Sequence, residues 1–129
     1  MNVRTLLTTY AVIAGLTWIG MLFTPEFYMF VYGITTWAEV ETLIRYSGAL
    51  YGGLAVIAWL ARDVGASKAR DAILLGIATA NALGGMVAVL FAMSSIGNGV
   101  MWISAGIHAV FAVCFLLAWK TPAPAAVPA

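Results

Sequence analysis

Four long apolar stretches, at residues 5–23, 43–61, 72–93 and 100–119, constrain this chain more than any other feature. A hydrocarbon layer about 30 Å thick is crossed by roughly 20 helical residues at 1.5 Å each. Every stretch is about that long, and every one contains glycines that a lipid-embedded helix tolerates. In lipid the backbone must satisfy its own hydrogen bonds, so a span is either a helix or part of a closed barrel. Barrel strands are segments of about ten residues that alternate apolar and polar, and no such alternation occurs here. The expected fold is all-α, an integral membrane four-helix bundle forming one domain over residues 1–129.

Composition agrees. The chain of 129 residues is 64% hydrophobic and 9% charged, with six Lys/Arg against five Asp/Glu. Soluble domains carry about 25% charged residues, so a free water-soluble globule is excluded. A net charge of +1 supplies no basic tract for nucleic acid. The lone Cys114 cannot pair within the chain or form a C-x-x-C redox motif, and its apolar neighbours make it a small buried hydrophobe. One histidine, His108, cannot build a multi-histidine metal site, and a haem on it would need the histidine of a second copy. H-E-x-x-H and Walker-type runs are absent. No catalytic, metal or cofactor residues are therefore assigned.

The positive start at Met1–Arg4 precedes an apolar run longer than a signal-peptide core, with no small-residue cleavage site after it. It reads as a retained span. Arg4, Arg62, Lys68, Arg70 and Lys120 fall on one side of the four spans. Glu26, Glu39 and Glu41 fall on the other, with Arg45 at the membrane edge. The positive-inside rule then places both termini in the cytoplasm of a bacterial inner membrane.

Local signals mark the connections. Thr24-Pro25-Glu26 has an N-cap residue, a proline at the first helical position and an acid in the first turn. The aromatic run from Phe27 to Tyr32, closed by Gly33, predicts a short interfacial helix. Thr36-Trp37-Ala38-Glu39 reads as a capping box that starts the second long helix near Trp37. Glu41 and Arg45 have i, i+4 spacing in the favourable order. Gly65 suits the end of that helix and Ser67 the start of the next. The turn of residues 94–99 makes the last two spans antiparallel neighbours, and the Pro/Ala tail 121–129 reads as disordered or extended.

Helices in lipid associate through small residues and shared polar groups. Gly76, Ala80, Gly84, Ala88 and Ala92 recur at every fourth position of the third span, and Gly48 and Gly52 mark the second. These two spans are expected at the centre of the packing. Asn81 has small helical neighbours and must face another helix. His108 sits at similar depth, so the two can share an interhelical hydrogen bond. Arg45 can snorkel to phosphate or pair with Glu41. With Tyr51 and His108 it could instead line an outward cleft for an anion-headed ligand such as a lipid or quinone.

Gly15…Phe23-Thr24-Pro25, Arg45-Tyr46-Ser47-Gly48-Ala49 and Ala58-Trp59-Leu60-Ala61-Arg62-Asp63 together resemble small uncharacterised four-span bacterial inner-membrane proteins of DoxX-like layout. The resemblance implies a four-helix inner-membrane bundle without an agreed activity, some such proteins being accessory subunits of membrane redox systems. It supplies no catalytic motif.

Three functions stay open from the sequence. The first is a non-enzymatic accessory or scaffold subunit, packing on a membrane partner or on a second copy of itself. The second is a small homodimeric transporter or carrier of a lipophilic or anionic ligand, using Arg45 and His108. Its proton coupling would rest on His108 alone, because no Asp or Glu lies within a span. The third is an enzyme working on a lipid-soluble substrate, for which His108 with Tyr51 or Tyr46 would be the available acid–base groups.

Overall fold

The computed structural model describes residues 2–35, 38–94, 96 and 98–120. It is helical throughout: α1 (Val3–Phe23), α2 (Pro25–Tyr32), α3 (Ala38–Ala61), α4 (Lys68–Met93) and α5 (Val100–Lys120). Four of the five, all but α2, are long and apolar enough to cross a membrane. They contain the four predicted spans and extend beyond them at polar ends, such as Lys68–Asp71 of α4. Large apolar side chains, including Leu16, Leu60, Leu83, Val87, Leu90 and Val110, point away from the protein. In water such a surface would be unfavourable; in lipid it is simply solvated.

The long helices run up and down, with both ends of the described chain at one end of the bundle. Asn2 begins α1 by accepting the Arg4 N–H at 3.0 Å. Thr24 does not cap α2 with its side chain as the sequence suggested. Its hydroxyl and its N–H both donate to the Gly20 carbonyl, at 2.9 and 2.8 Å, and so close α1. A threonine between two helices serves whichever offers an open acceptor, and the end of α1 does. Pro25 still starts α2. Gly33 ends it in the left-handed region at φ 72°, the conformation that favours glycine.

Ser67 caps α4 as expected, its hydroxyl accepting the Arg70 N–H at 3.2 Å. Gly65 does not end α3. That helix stops at Ala61, and among the described residues Gly33 is the glycine with positive φ. An arginine does the work instead. Arg62 donates to the Trp59 carbonyl and stacks 3.7 Å from the centre of the Trp59 ring. It also pairs with Asp63, which binds Arg4 of α1 at 2.9 Å. Thr36 and Trp37 of the expected capping box, like the tail 121–129, lie outside the described residues.

Two tight helix pairs make the bundle, α1 with α3 and α4 with α5. Glycine permits each approach. A Cβ on Gly48 would fall 2.8 Å from Met21 Cβ, and one on Gly52 would fall 2.8 Å from the Trp18 ring. In the second pair a Cβ on Gly84 would lie 2.9 Å from His108 Cε1, and Ala88 is buried against α5 with Met101 and Ala105.

The expectation that α3 and α4 form the centre of the packing is overturned, since these two touch at few positions. The reason is geometric. At 3.6 residues per turn, a step of four residues rotates about 40° around the helix, so four steps sweep about 160°. Gly76 therefore faces open space while Gly84 faces α5 and Ala80 is half-buried between them.

The pairs meet in a core near the chain termini. Leu6, Leu7 and Tyr10 of α1 and Ala58 of α3 pack there on Leu74 and Ile77 of α4 and Phe115 of α5. Tyr10 stands edge-on to both Phe111 and Phe115, with ring centres 5.1 and 5.2 Å away. Toward the α2 end the residues facing between the pairs no longer fill the space, and clefts open.

Candidate functional site: a polar row between two clefts

Polar side chains from the four long helices converge where the clefts begin. Asn81 of α4, 3% exposed, donates through Nδ2 to the Ile77 carbonyl at 2.9 Å, one turn back. That bond turns Oδ1 toward α5, where it lies 3.1 Å from Nδ1 of His108. The other ring nitrogen, Nε2, lies 3.0 Å from the Tyr51 hydroxyl of α3. Tyr10 of α1 lines the same two clefts as these three residues.

Donor and acceptor roles follow from elementary chemistry. An amide oxygen only accepts, so Nδ1 carries the ring proton. A neutral imidazole then offers a lone pair at Nε2, and the Tyr51 hydroxyl donates to it. Among the described residues no carboxylate lines either cleft to offset a charged imidazole, which would be costly at this depth.

Two clefts flank the row. The larger, of about 660 Å³, opens sideways between α3 and α4 and is walled by Leu43, Leu50, Leu54, Val87 and Phe91. The smaller, of about 220 Å³, lies among α1, α2 and α5 and is walled by Ile13, Val31, Ile103 and Ile107. Tyr10, Tyr51, Asn81 and His108 border both, as do Tyr32 and Ser104. All lining residues described are uncharged. The larger cleft matches small-molecule sites in size and lining, being mostly apolar with a few placed polar groups.

Helix α2 roofs this region. Tyr28 lies across Gly20, where a Cβ would fall 2.7 Å from its hydroxyl. Burial, with Tyr28 nearby, pushes the Tyr32 phenol up, so it stays protonated. Asn98 holds the roof from the other pair by donating to the Val31 carbonyl at 2.9 Å. Phe27 and Phe30 face outward, the latter 83% exposed, as an interfacial helix requires.

Of the residues singled out from the sequence, Tyr51, Asn81 and His108 come together. Arg45 does not join them. Its guanidinium is held by Glu41 at 2.6 Å and by the Leu22 carbonyl at 2.9 Å, closing the end of α1, and it borders neither cleft. Tyr10 was not anticipated. The available signal was a phenol in the first apolar run, since a buried tyrosine hydroxyl finds a partner. Gly48 and Gly52 face α1, Gly84 and Ala88 face α5, and Ala80 borders the larger cleft. Cys114 packs at the edge of the core, and no three His, Cys, Asp or Glu side chains converge among the described residues.

Fold and site together define a class, a multi-pass helical membrane protein whose uncharged polar row is reached from the side. No protein family, curated protein or solved structure matches the chain.

Proposed function

We propose that this protein is a non-enzymatic membrane subunit that takes an uncharged, lipid-soluble molecule from the bilayer into the cleft between α3 and α4. The observation that carries this reading is the cleft itself, about 660 Å³ and walled by aliphatic and aromatic side chains. It opens sideways, and its floor of hydrogen-bonding groups carries no formal charge. An anionic head would find no cation there, because Arg45 is engaged elsewhere. Charged groups are costly at mid-bilayer, the depth of His108 and Asn81, which favours an uncharged ligand there.

The protein sits in a bacterial inner membrane with both termini cytoplasmic, a placement supported by Arg4, Arg62, Lys68, Arg70 and Lys120 at the terminal end. There it acts as an accessory subunit that holds or passes its ligand to a partner.

The test fills the cleft. Leu50 and Val87 are 57% and 61% exposed along its walls, so Leu50→Trp and Val87→Trp occlude it without entering the packed core. Mass spectrometry of organic extracts from gently purified protein should show an apolar compound at near-stoichiometric amount in the wild type, reduced at least tenfold in the double variant. Extracts that do not differ would refute the reading.

A further inference from the structure

The hydrogen-bond direction along the polar row selects the head of the ligand. Asn81 commits Nδ2 to the Ile77 carbonyl and presents Oδ1 to the imidazole. His108 answers with its Nδ1 proton, which leaves Nε2 as an acceptor, and the Tyr51 hydroxyl fills that acceptor with its single proton. Tyr51, which borders the cleft, is left with lone pairs on its phenol oxygen and no proton to offer.

We infer that the α3–α4 cleft is a site for a hydroxyl-headed lipid, an alcohol or phenol that donates to Tyr51 Oη, in preference to a ketone- or ether-headed counterpart. A donor hydroxyl extends the row by one bond in the same direction. A carbonyl oxygen in that place would face the Tyr51 lone pairs with nothing to accept.

Asn81 and His108 are positioning residues in this scheme. They determine, across two helices, which way the Tyr51 proton points. The inference rests on the cleft binding a lipid-soluble molecule, and the experiment separates the two ideas.

Equilibrium binding of radiolabelled 1-hexadecanol and 2-hexadecanone is measured on full-length protein in phosphatidylcholine nanodiscs, with empty nanodiscs as the blank. For the wild type the alcohol should bind about five- to tenfold more tightly, the worth of one hydrogen bond gained against one acceptor left unpaired. His108→Leu frees the Tyr51 proton, which can then be donated to either probe, so the preference should fall to within about twofold. Asn81→Ala releases the tautomer, and the discrimination should fall to within about twofold. Gly76→Ala, on α4 but facing open space outside both clefts, should leave it unchanged.

Equal binding of both probes by the wild type overturns the hydroxyl preference and leaves the cleft reading standing, whereas binding of neither overturns both. Loss of binding in His108→Leu with unaltered thermal stability also counts against the scheme, because both probes should still bind there. If His108→Leu does not fold, the Asn81→Ala ratio decides the matter alone.

Discussion

The imidazole of His108 lies against the bare backbone of Gly84, so close that a Cβ there would stand 2.9 Å from Cε1 and 3.2 Å from Nδ1. This contact sets how near α5 can come to α4, and it holds the ring where Asn81 and Tyr51 reach it. Gly84→Ala should push the ring off its partners and cost about 1–3 kcal/mol, the usual range for overpacking. Gly76→Ala, on the same helix but facing open space, should be neutral or stabilising by up to about 1 kcal/mol through helix propensity. Thermal unfolding of the two variants in one detergent checks the contrast.

The row should behave as a coupled unit. Tyr51→Phe removes the donor to Nε2 and Asn81→Ala removes the acceptor of the Nδ1 proton. Each should cost about 0.6–2 kcal/mol, as interhelical hydrogen bonds in membranes do. The pair should be less than additive, because losing one partner frees the tautomer that the other needs. A double-mutant cycle on unfolding in mixed micelles measures the coupling, and strict additivity would contradict the proposed proton order.

Arg45 closes α1 and stays outside the cleft. Arg45→Ala should lower stability by no more than about 1 kcal/mol, the scale of an exposed ion pair, and leave retention of an apolar ligand intact. Extracted-ligand yield from the variant settles this against the sequence-level idea of Arg45 as an anion anchor.

Helix α2 is pinned by two backbone-level features, the left-handed Gly33 and the Asn98 bond to the Val31 carbonyl. Gly33→Ala strains a positive φ and presses on Asn98 Nδ2, which a Cβ would approach at 3.1 Å. The cost should be about 1–2 kcal/mol. Hydrogen exchange across residues 25–34 should quicken while the middle of α4 stays protected.

Exposed flanks that are solvated by lipid should exclude water. In a Cys114→Ala background, cysteines at Leu83 and Val87 should resist a charged methanethiosulfonate reagent in vesicles, while one at Glu26 reacts. Fast modification at Leu83 would contradict a membrane-spanning α4.

Much of the architecture was legible in the chain because lipid leaves the backbone few choices. An apolar stretch of about 20 residues must satisfy its own N–H and C=O groups, so the number of long helices, their up-and-down order and the short aromatic helix before Gly33 follow from local pattern. The pairing of Glu41 with Arg45 and the bond between Asn81 and His108 were legible for a related reason. Few polar groups exist within the spans, and each needs a partner at its own depth.

Helix rotation was not legible. Five small residues at four-residue spacing look like one face in the sequence, yet each step turns about 40°. Only the packed pairs decided that Gly84 meets His108 while Gly76 faces open space. The same rotation carried Arg45 to the end of α1 and brought Tyr10 to the clefts that Asn81 lines. Hydropathy is a property of each segment and can be read residue by residue. Which sides of two helices meet is decided by the whole set of contacts at once, and that set arises only when the chain is folded.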